Sequence, residues 1–370
     1  MNHKRISIML SHAIVLLLFI PAQYATALSP VAFFFDTPQK SVDTKFDSGR
    51  VILPDNATNY SDDPEDGTEE RPYLIYTAEQ IANLNSRLVS NVSDRTAHFK
   101  LMADVDMSEY GTNWTNIGSY FKGVFDGNFH KIIGIQKPLF QYLATGASVK
   151  QLGIEDCNII TGGSYGNGGV VGDCYGMVER CYVTGSVKSA DRAGGIAGVL
   201  RDGGAIVDCY NLADVSGAYT SGGLVGDMWG GSVLYHCYNT GNITSSRDSA
   251  GGFAGFLTVG VIWNCVSIGP SVSSYYESGA YVGSNYGGVQ SSYAYRFMRI
   301  DGLTTNSGIL RLSRISSTSF WSDDVGLNTE AWVIENGKLP VLRGFESPQD
   351  EIPEYIKRGR FPCHTSFTSQ

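Results

Sequence analysis

The histidine and serine residues are the first candidates for catalytic chemistry in this 370-residue chain. None of the six histidines lies in an H-E-x-x-H pattern, which places two zinc ligands and a general base on one helix face in many metalloproteases. Residues 162–166 (GGSYG) have the letters of a nucleophile elbow, but no helix pattern follows them. The sequence therefore predicts no catalytic serine and no metal site, and we interpret His98, His130 and His236 as structural residues.

Carboxylate pairs are the second possibility, because polysaccharide lyases and glycosidases of the β-helix type carry acids and an arginine on one outer face. Asp173 and Asp227 hold the same position in two copies of the repeat described below, whereas Asp202 is offset. The other two copies have Phe256 and Ser284 at that position. The acids are not placed as a catalytic pair. A non-catalytic protein is the main hypothesis, and a lyase or glycoside hydrolase is the alternative.

Three aromatic residues are the candidates for ligand binding. Tyr175, Trp229 and Tyr286 each stand three residues beyond the last glycine of a repeated motif, with Arg201 and Thr258 at that place in the alternate copies. Spaced aromatic side chains on a rigid β-face can stack on sugar rings or anchor a protein partner. The open alternative is that they pack on each other and close the turn.

Seven cysteines invite a search for disulfides and metal ligands. Five of them recur at intervals of 24, 28, 28 and 28 residues and are predicted to stack as a ladder: Cys157, Cys181, Cys209, Cys237 and Cys265. Parallel side chains on stacked strands keep Cβ atoms farther apart than a disulfide normally allows, so buried free thiols are expected, with occasional bridges as the alternative. The spacing is not that of a zinc site, and Cys174 and Cys363 lie outside the ladder.

Internal repeats decide the fold. A glycine-flanked motif, Gly-Gly-apolar-apolar-Gly or a close variant, starts at residues 168, 194, 222, 251 and 279. A second block follows each motif, with an apolar residue three positions before a cysteine or serine: Val178 and Cys181, Ile206 and Cys209, Leu234 and Cys237, Ile262 and Cys265, Val289 and Ser292. The period is close to 28 residues.

The composition of each copy favours β-strands over helices. Repeated glycines would cost a helix about 1 kcal/mol apiece, and short runs rich in Val, Ile and Tyr alternate with Gly, Asn, Ser and Asp. We predict an all-β parallel β-helix, or solenoid, of about 28-residue rungs. Its interior ladders are predicted to be Val170, Ile196, Leu224 and Phe253, and also Val178, Ile206, Leu234, Ile262 and Val289.

The two repeated blocks resemble the GLUG repeat of bacterial surface and secreted proteins, which also occurs in the non-catalytic region of immunoglobulin A peptidases. The segment from Asp66 to Asn128 is similar to the one that usually precedes such repeats, and the resemblance extends to about residue 345. It implies a β-helix fold and export, and its motifs carry no chemistry. The chain departs from the pattern at Phe129, Ala280 and Ser292.

The N-terminus has the three parts of a secretory signal peptide. Lys4 and Arg5 precede an apolar run from Ile6 to Ile20, and a small-residue site ends at Ala27. Cleavage there leaves 25 basic against 36 acidic side chains, a net charge near −11, which does not fit nucleic-acid binding. An uncleaved anchor is the alternative, although the run is shorter than a membrane span. No membrane span is expected after cleavage.

These observations predict six segments: a signal peptide (1–27), a flexible lead-in (28–65), an N-terminal cap with first rungs (66–150), regular GLUG-like rungs (151–297), a C-terminal cap (298–345) and a disordered tail (346–370). The N-terminal cap should contain one short helix that begins with a Thr77 and Gln80 capping box. The predicted function is a secreted or cell-surface scaffold, without a cofactor, that recognises an extracellular glycan or a protein surface.

Overall fold

The computed structural model describes residues 67–118, 121–162, 166–304, 314–345 and 351–357. The predicted signal peptide and lead-in lie outside these ranges. The described chain is mostly β-strand and forms the predicted parallel β-solenoid, because strands in three sheets pair in parallel with their equivalents one repeat earlier and later. The fold class is confirmed.

Three sheets form the walls of the solenoid. Sheet 1 has nine strands: Tyr73–Ile75, His98–Leu101, Val124–Asp126, Ser148–Lys150, Met177–Glu179, Ala205–Val207, Ser232–Tyr235, Gly260–Trp263 and Gly288–Gln290. Sheet 2 has fifteen: Val105–Asp106, Lys131–Ile133, Gly153–Thr161, Tyr182–Ser189, Ala193–Gly194, Tyr210–Asn211, Asp214–Gly217, Thr220–Gly222, Tyr238–Asn239, Ile243–Ser245, Ser249–Gly251, Val266–Ser267, Ser271–Gly279, Tyr293–Ala294 and Arg299–Thr304. Sheet 3 has six: Phe140–Leu143, Val171–Cys174, Ala197–Leu200, Val225–Met228, Ala254–Leu257 and Val282–Asn285.

One rung takes the chain through all three sheets. From Ala205–Val207 in sheet 1 the chain enters sheet 2, continues along Asp214–Gly217, and then doubles back along Thr220–Gly222 before it enters sheet 3 at Val225–Met228. We call the strand that doubles back the return strand. Its equivalents are Ala193–Gly194, Ser249–Gly251 and the last residues of Ser271–Gly279.

The sheet 1 ladder lies in the core as predicted. Val178, Ile206, Leu234, Ile262 and Val289 occupy one column of paired strands. The column extends toward the N-terminus through a longer series: Val149, Phe125, Phe99 and Tyr73. Full burial of each such side chain contributes roughly 1.5–3 kcal/mol, so the stacked columns are the main source of stability.

The glycine motif lets two strands of one rung pack backbone to backbone. A Cβ on Gly222 would overlap the carbonyl oxygen of Val225, and a Cβ on Gly226 would lie 3.1 Å from the backbone of Ala193 in the return strand of the preceding rung. The return strand therefore lies directly against sheet 3, with no side chain between them at these points. Leu224, between the two glycines, is fully buried in the core.

A second close approach explains the middle glycine of the motif. A Cβ on Gly223 would overlap the carbonyl oxygen of Gly252 and the side chain of Asn239. Asn239 is itself part of a buried amide ladder, since Asn211 Nδ2 donates to Asn239 Oδ1 at 2.9 Å. The amides occupy the space that the glycines leave free.

The corner between sheets 1 and 2 has the same backbone conformation in successive rungs. A residue with φ between 45° and 55° stands there: Gln151, Arg180, Asp208, His236, Asn264 and Ser291. In four of these rungs the next residue is a cysteine of the ladder: Cys181, Cys209, Cys237 or Cys265. The sulfur of such a cysteine can accept a hydrogen bond from the backbone N–H of the cysteine one rung earlier. Cys181 N–H donates to Cys209 Sγ at 3.3 Å, and Cys209 N–H donates to Cys237 Sγ at 3.4 Å.

The final rung shows why serine can replace cysteine at this corner. Ser292 Oγ accepts the N–H of Cys265 at 3.2 Å and donates to the carbonyl of Gln290 at 2.8 Å. Cys209 makes the equivalent pair of contacts through its thiol, which donates to the carbonyl of Val207 at 3.2 Å. Burial raises the pKa of Cys209 well above its usual value, so the thiol stays protonated and able to donate.

The prediction that Cys157 begins this ladder is wrong. Gly153 pairs with Tyr182, which places Leu152 next to Cys181, and Cys157 pairs with Gly185. Its spacing of 24 residues, four short of the later interval, is the sign of this offset. The six described cysteines are buried and free, and Cys363 lies outside the described residues.

The predicted N-terminal cap contains the expected helix. It spans Ala78–Ser90, and Thr77 and Gln80 form the predicted capping box. Ile81 and Leu84 are fully buried in the same core as the ladder residues, so the helix supplies apolar cover where the column of rungs starts. Short 3₁₀ helices follow at Val92–Thr96 and Ser108–Tyr110.

The C-terminal segment 314–345 contains an antiparallel strand pair but does not form the predicted end cap. Trp332–Val333 and Val341–Leu342 pair antiparallel after a short π-helix at Phe320–Asp324. Instead of closing the end of the solenoid, the segment lies along the side of sheet 2. Trp332 packs against Tyr210 and Tyr238 with ring centroids 6.1 and 5.9 Å apart.

A tyrosine column explains this lateral position. Tyr182, Tyr210 and Tyr238 stack with centroid separations of 5.1 and 5.0 Å and nearly parallel rings. The outer surface of these rings is apolar and would otherwise be exposed to water. Phe345 packs on Tyr182, with a distance of 4.9 Å between the two ring centroids. Trp332 Nε1 also donates to Asp208 Oδ1 at 2.9 Å. We call residues 314–345 the lateral strap.

The prediction of a disordered tail is wrong for residues 351–357. This stretch contains the helix Glu354–Lys357, and Ile352 and Ile356 are buried. The Tyr355 hydroxyl donates to the carbonyl of Ile268 at 2.7 Å. Two isoleucines four residues apart and one tyrosine are enough to dock this short segment on sheet 2.

Replacement of Gly222 by alanine should destabilise the protein by about 3 kcal/mol or more, because the new Cβ overlaps backbone atoms that cannot move independently. Gly162→Ala is the matched control, since no atom lies within 4 Å of the place its Cβ would take and its φ is not positive. The control should change stability by less than about 0.5 kcal/mol. Urea unfolding of both variants checks this, and equal midpoints would contradict the packing described for the motif.

Replacement of Cys209 by alanine should cost about 1–3 kcal/mol beyond the lost side-chain packing, because the buried N–H of Cys181 loses its acceptor. Cys209→Ser should retain most of the stability, since Ser292 already performs this role. Thermal unfolding followed by circular dichroism compares the two. A serine variant as unstable as the alanine variant would show that the sulfur acts only by filling space.

Candidate binding surface

The predicted aromatic row occupies one column of the solenoid. Leu200 pairs with Cys174 and with Met228, and Leu257 pairs with Met228 and with Asn285. The residues that follow these strands therefore stack in order as Tyr175, Arg201, Trp229, Thr258 and Tyr286. We call this column the turn row, because it lies where the chain leaves sheet 3 for sheet 1.

Tyr175 stands apart from the other two aromatic residues of the row. It is half-buried and packs against Tyr142 at a centroid distance of 5.0 Å, and the Arg201 guanidinium lies 5.9 Å from its ring centre. Burial raises the pKa of the Tyr175 hydroxyl. The ring is thus held between neighbours in the early rungs, in the packing arrangement that was the alternative to a binding role.

Trp229 and Tyr286 belong to a continuous aromatic surface that includes Phe256. Phe256 lies 6.0 Å from Trp229 and 5.8 Å from Tyr286 between ring centroids. Trp229 is 37% exposed and Tyr286 is 75% exposed. We call these three residues the aromatic patch. It spans three successive rungs, whose strands lie about 4.8 Å apart.

Phe256 was not among the predicted site residues. It takes the column position that Asp173 and Asp227 have in other rungs. The column also contains Tyr142 and Val199, so a second aromatic residue in it, two positions before the turn row, is the sequence signal that could have identified Phe256. Its neighbours in the column, Asp227 and Ser284, are nearly buried.

The carboxylate of Asp227 connects the patch to the return strand. Thr220 Oγ1 donates to Asp227 Oδ1 at 2.6 Å, and Arg192 Nε lies 2.5 Å from Asp227 Oδ2. Burial raises the pKa of Asp227, and Thr220 and Arg192 oppose that rise. Asp227 is therefore held in a buried polar cluster, and Trp229 stands two residues further along the chain.

The two equivalent acids are not arranged as a close catalytic pair. Asp173 and Asp227 share a column but are separated by Val199, which places their Cα atoms about 10 Å apart at two rung spacings. Arg201 lies 3.7 Å from Asp173, and burial raises the pKa of Asp173. The separation is at the wide end of what inverting glycosidases use, but Asp227 is already engaged by Thr220 and Arg192.

The histidines lie in structural surroundings. His130 Nδ1 is 3.1 Å from Asp104 Oδ1 at the surface of the first rungs. His236 is a left-handed corner residue that stacks on Tyr235 and lies 3.5 Å from Asp208. His98 is half-buried in sheet 1. In the ranges that the structure describes, no group of three or more His, Cys, Asp or Glu side chains could hold a metal ion.

Helices long and apolar enough to cross a bilayer do not occur in the described part of the chain. The apolar run Ile6–Ile20 lies outside that part.

The solenoid resembles a solved structure. It superposes on a crystal structure of a protein from Bacteroides ovatus, provisionally named an immunoglobulin A1 protease, with a TM-score of 0.63 and 22% identical residues. The match covers 76% of this chain and 94% of that protein. The two share a fold. At this identity the likeness says nothing further about activity.

One sequence relative has detectable similarity over a shorter stretch. A protein of Evansella cellulosilytica, provisionally named a Gly-rich membrane protein, is 30% identical over a match that covers 32% of this chain and 15% of the relative. This chain therefore spans a small part of that relative's length. No protein-family profile matches the chain.

Proposed function

We propose that this protein is an exported, non-catalytic recognition module that binds a glycan through the aromatic patch of Trp229, Phe256 and Tyr286. The observation that carries the proposal is the continuity of three partly exposed rings over three rungs. Aromatic faces on rigid strands suit stacking against sugar rings, because little conformational entropy is lost on binding.

The polar cluster beneath the patch supports the same function. Asp227, two residues before Trp229, is held by Thr220 and Arg192, and the Trp229 indole packs against Phe256. A ring held in place before the ligand arrives binds more tightly than a mobile one. Tyr175, although it shares the turn row, is not part of the proposed patch because it is packed between Tyr142 and Arg201.

The proposal includes export of the protein from the cell. The signal-peptide pattern of residues 1–27 and the GLUG-like repeats both favour a secreted or cell-surface protein. The solenoid shared with the Bacteroides ovatus protein is compatible with this location. The protease activity in that protein's name is not carried over, because the likeness concerns the fold.

The double variant Trp229→Ala/Tyr286→Ala should reduce glycan binding by at least about tenfold, since each lost stacking contact contributes on the order of 1 kcal/mol. The measurement uses a glycan array first and then calorimetry with the neutral polysaccharides that are retained. Tyr175→Ala is the matched control from the same row and should bind like the wild type.

Three outcomes would overturn this proposal. Unchanged binding by the double variant would remove the patch as the site. Retention on protein-coated surfaces but on no glycan would favour a protein partner. Release of reducing ends or unsaturated products from the polysaccharides would establish the alternative, a glycoside hydrolase or lyase.

A further inference from the structure

A second group of exposed aromatic residues lies on the same rungs as the aromatic patch. Tyr219, Tyr275 and Tyr276 are 46%, 72% and 56% exposed, and they stand at or near the bend where the chain doubles back into the return strand. Tyr275 and Tyr276 contact each other at a centroid distance of 4.8 Å. We call these three residues the tyrosine subsite.

Arg247 holds one of these rings in place. Its guanidinium lies 5.3 Å from the ring centre of Tyr219, and Arg247 Nη1 donates to the Tyr219 hydroxyl at 3.2 Å. A cation stacked on an exposed ring reduces the mobility of that ring. The arginine is thereby committed to a contact within the protein.

A hydrogen bond joins the chain segments that carry the tyrosine subsite and the aromatic patch within one rung. Thr220, which follows Tyr219, donates to Asp227, which stands two residues before Trp229. The return strand and the end of the sheet 3 strand therefore meet between the two aromatic positions. Tyr219 and Trp229 flank one buried polar contact.

The same arrangement recurs two rungs later. Tyr276 is followed by Glu277, which accepts a hydrogen bond from the hydroxyl of Ser284, and Tyr286 stands two residues beyond Ser284. Both contacts join residues seven positions apart. In the rung between them Ser249 lies 3.2 Å from Ser284. The two aromatic groups thus run side by side along the axis, separated by a polar line.

We propose that the tyrosine subsite binds the same glycan as the aromatic patch, and that the ligand is a neutral polysaccharide chain long enough to contact both. This inference rests on the proposed function. The aromatic patch occupies three successive rungs, and the tyrosine subsite occupies the first and the third of them, so the two groups offer stacking surfaces to several sugar rings at once. A monosaccharide or a short chain end would occupy only one of them.

The charges around the two groups favour a neutral chain over an acidic one. Asp227 is paired with Arg192 in the polar line, Glu277 and Asp248 are further acidic groups in the line and in the bend, and the whole chain has a net charge of −9. Arg247 is already engaged with Tyr219. Uronic acid or sulfated polymers would meet like charge at this surface.

The test measures affinity against chain length. Calorimetry with β-1,4-linked gluco-, xylo- and N-acetylglucosamine oligosaccharides, from disaccharide to octasaccharide, should show the wild type gaining about tenfold or more in affinity with length, the equivalent of about 1.4 kcal/mol. Tyr275→Ala/Tyr276→Ala should bind the short oligosaccharides like the wild type and lose the gain. Tyr275→Phe/Tyr276→Phe, which keeps both rings, should retain it.

The outcomes separate this inference from the proposed function. A wild type whose affinity does not rise with length, or an alanine variant that keeps the full gain, overturns the tyrosine subsite while the patch stands. Both the patch and the subsite are supported if Trp229→Ala/Tyr286→Ala loses binding of short oligosaccharides, whereas the Tyr275/Tyr276 alanine variant keeps it and loses only the gain with length. Absence of binding by the wild type to all three series and to the glycan array overturns both.

Discussion

The return strand and the sheet 3 strand of each rung pack backbone to backbone, and most of the remaining architecture depends on that contact. Only glycine permits it, since a Cβ at Gly222 would overlap Val225 and one at Gly226 would approach the backbone of Ala193 in the neighbouring return strand. The contact fixes which side chains meet at the open ends of the two strands. Thr220 reaches Asp227 there, and aromatic residues of two separate rows flank the contact.

Side-chain ladders stabilise the close backbone packing that the glycines permit. Aliphatic columns fill the core, amides occupy the space left by the middle glycine, and cysteines accept backbone N–H groups at the corners. The stacked tyrosines leave an apolar outer surface, which the lateral strap covers with Trp332 and Phe345. Positions whose residue type differs from rung to rung are not part of these ladders, and they are therefore available to bind a ligand.

The repeat period made the stacking between rungs predictable for the core ladders and the turn row, and the Thr77 and Gln80 capping box predicted the helix. Contacts within a rung were harder to foresee, because the way the chain doubles back at Tyr219 and Tyr276 leaves no periodic signal. Phe256 was missed because its column has no repeated residue type, since it contains Tyr142, Val199 and two aspartates as well. The strap and the docked segment around Tyr355 depend on contacts between distant parts of the sequence, and Cys157 was misplaced because one early interval is four residues short.

A crystal structure of the protein with a bound oligosaccharide is the most direct test of a pre-formed aromatic surface. The oligosaccharide should be one that the protein binds in the glycan array. We expect sugar rings stacked on Trp229 and Tyr286, with the oligosaccharide crossing the polar line toward Tyr276 and with the protein side chains unmoved from their positions in the free protein. Sugar density at another face, or an indole of Trp229 that moves away from Phe256 in order to bind, would contradict this.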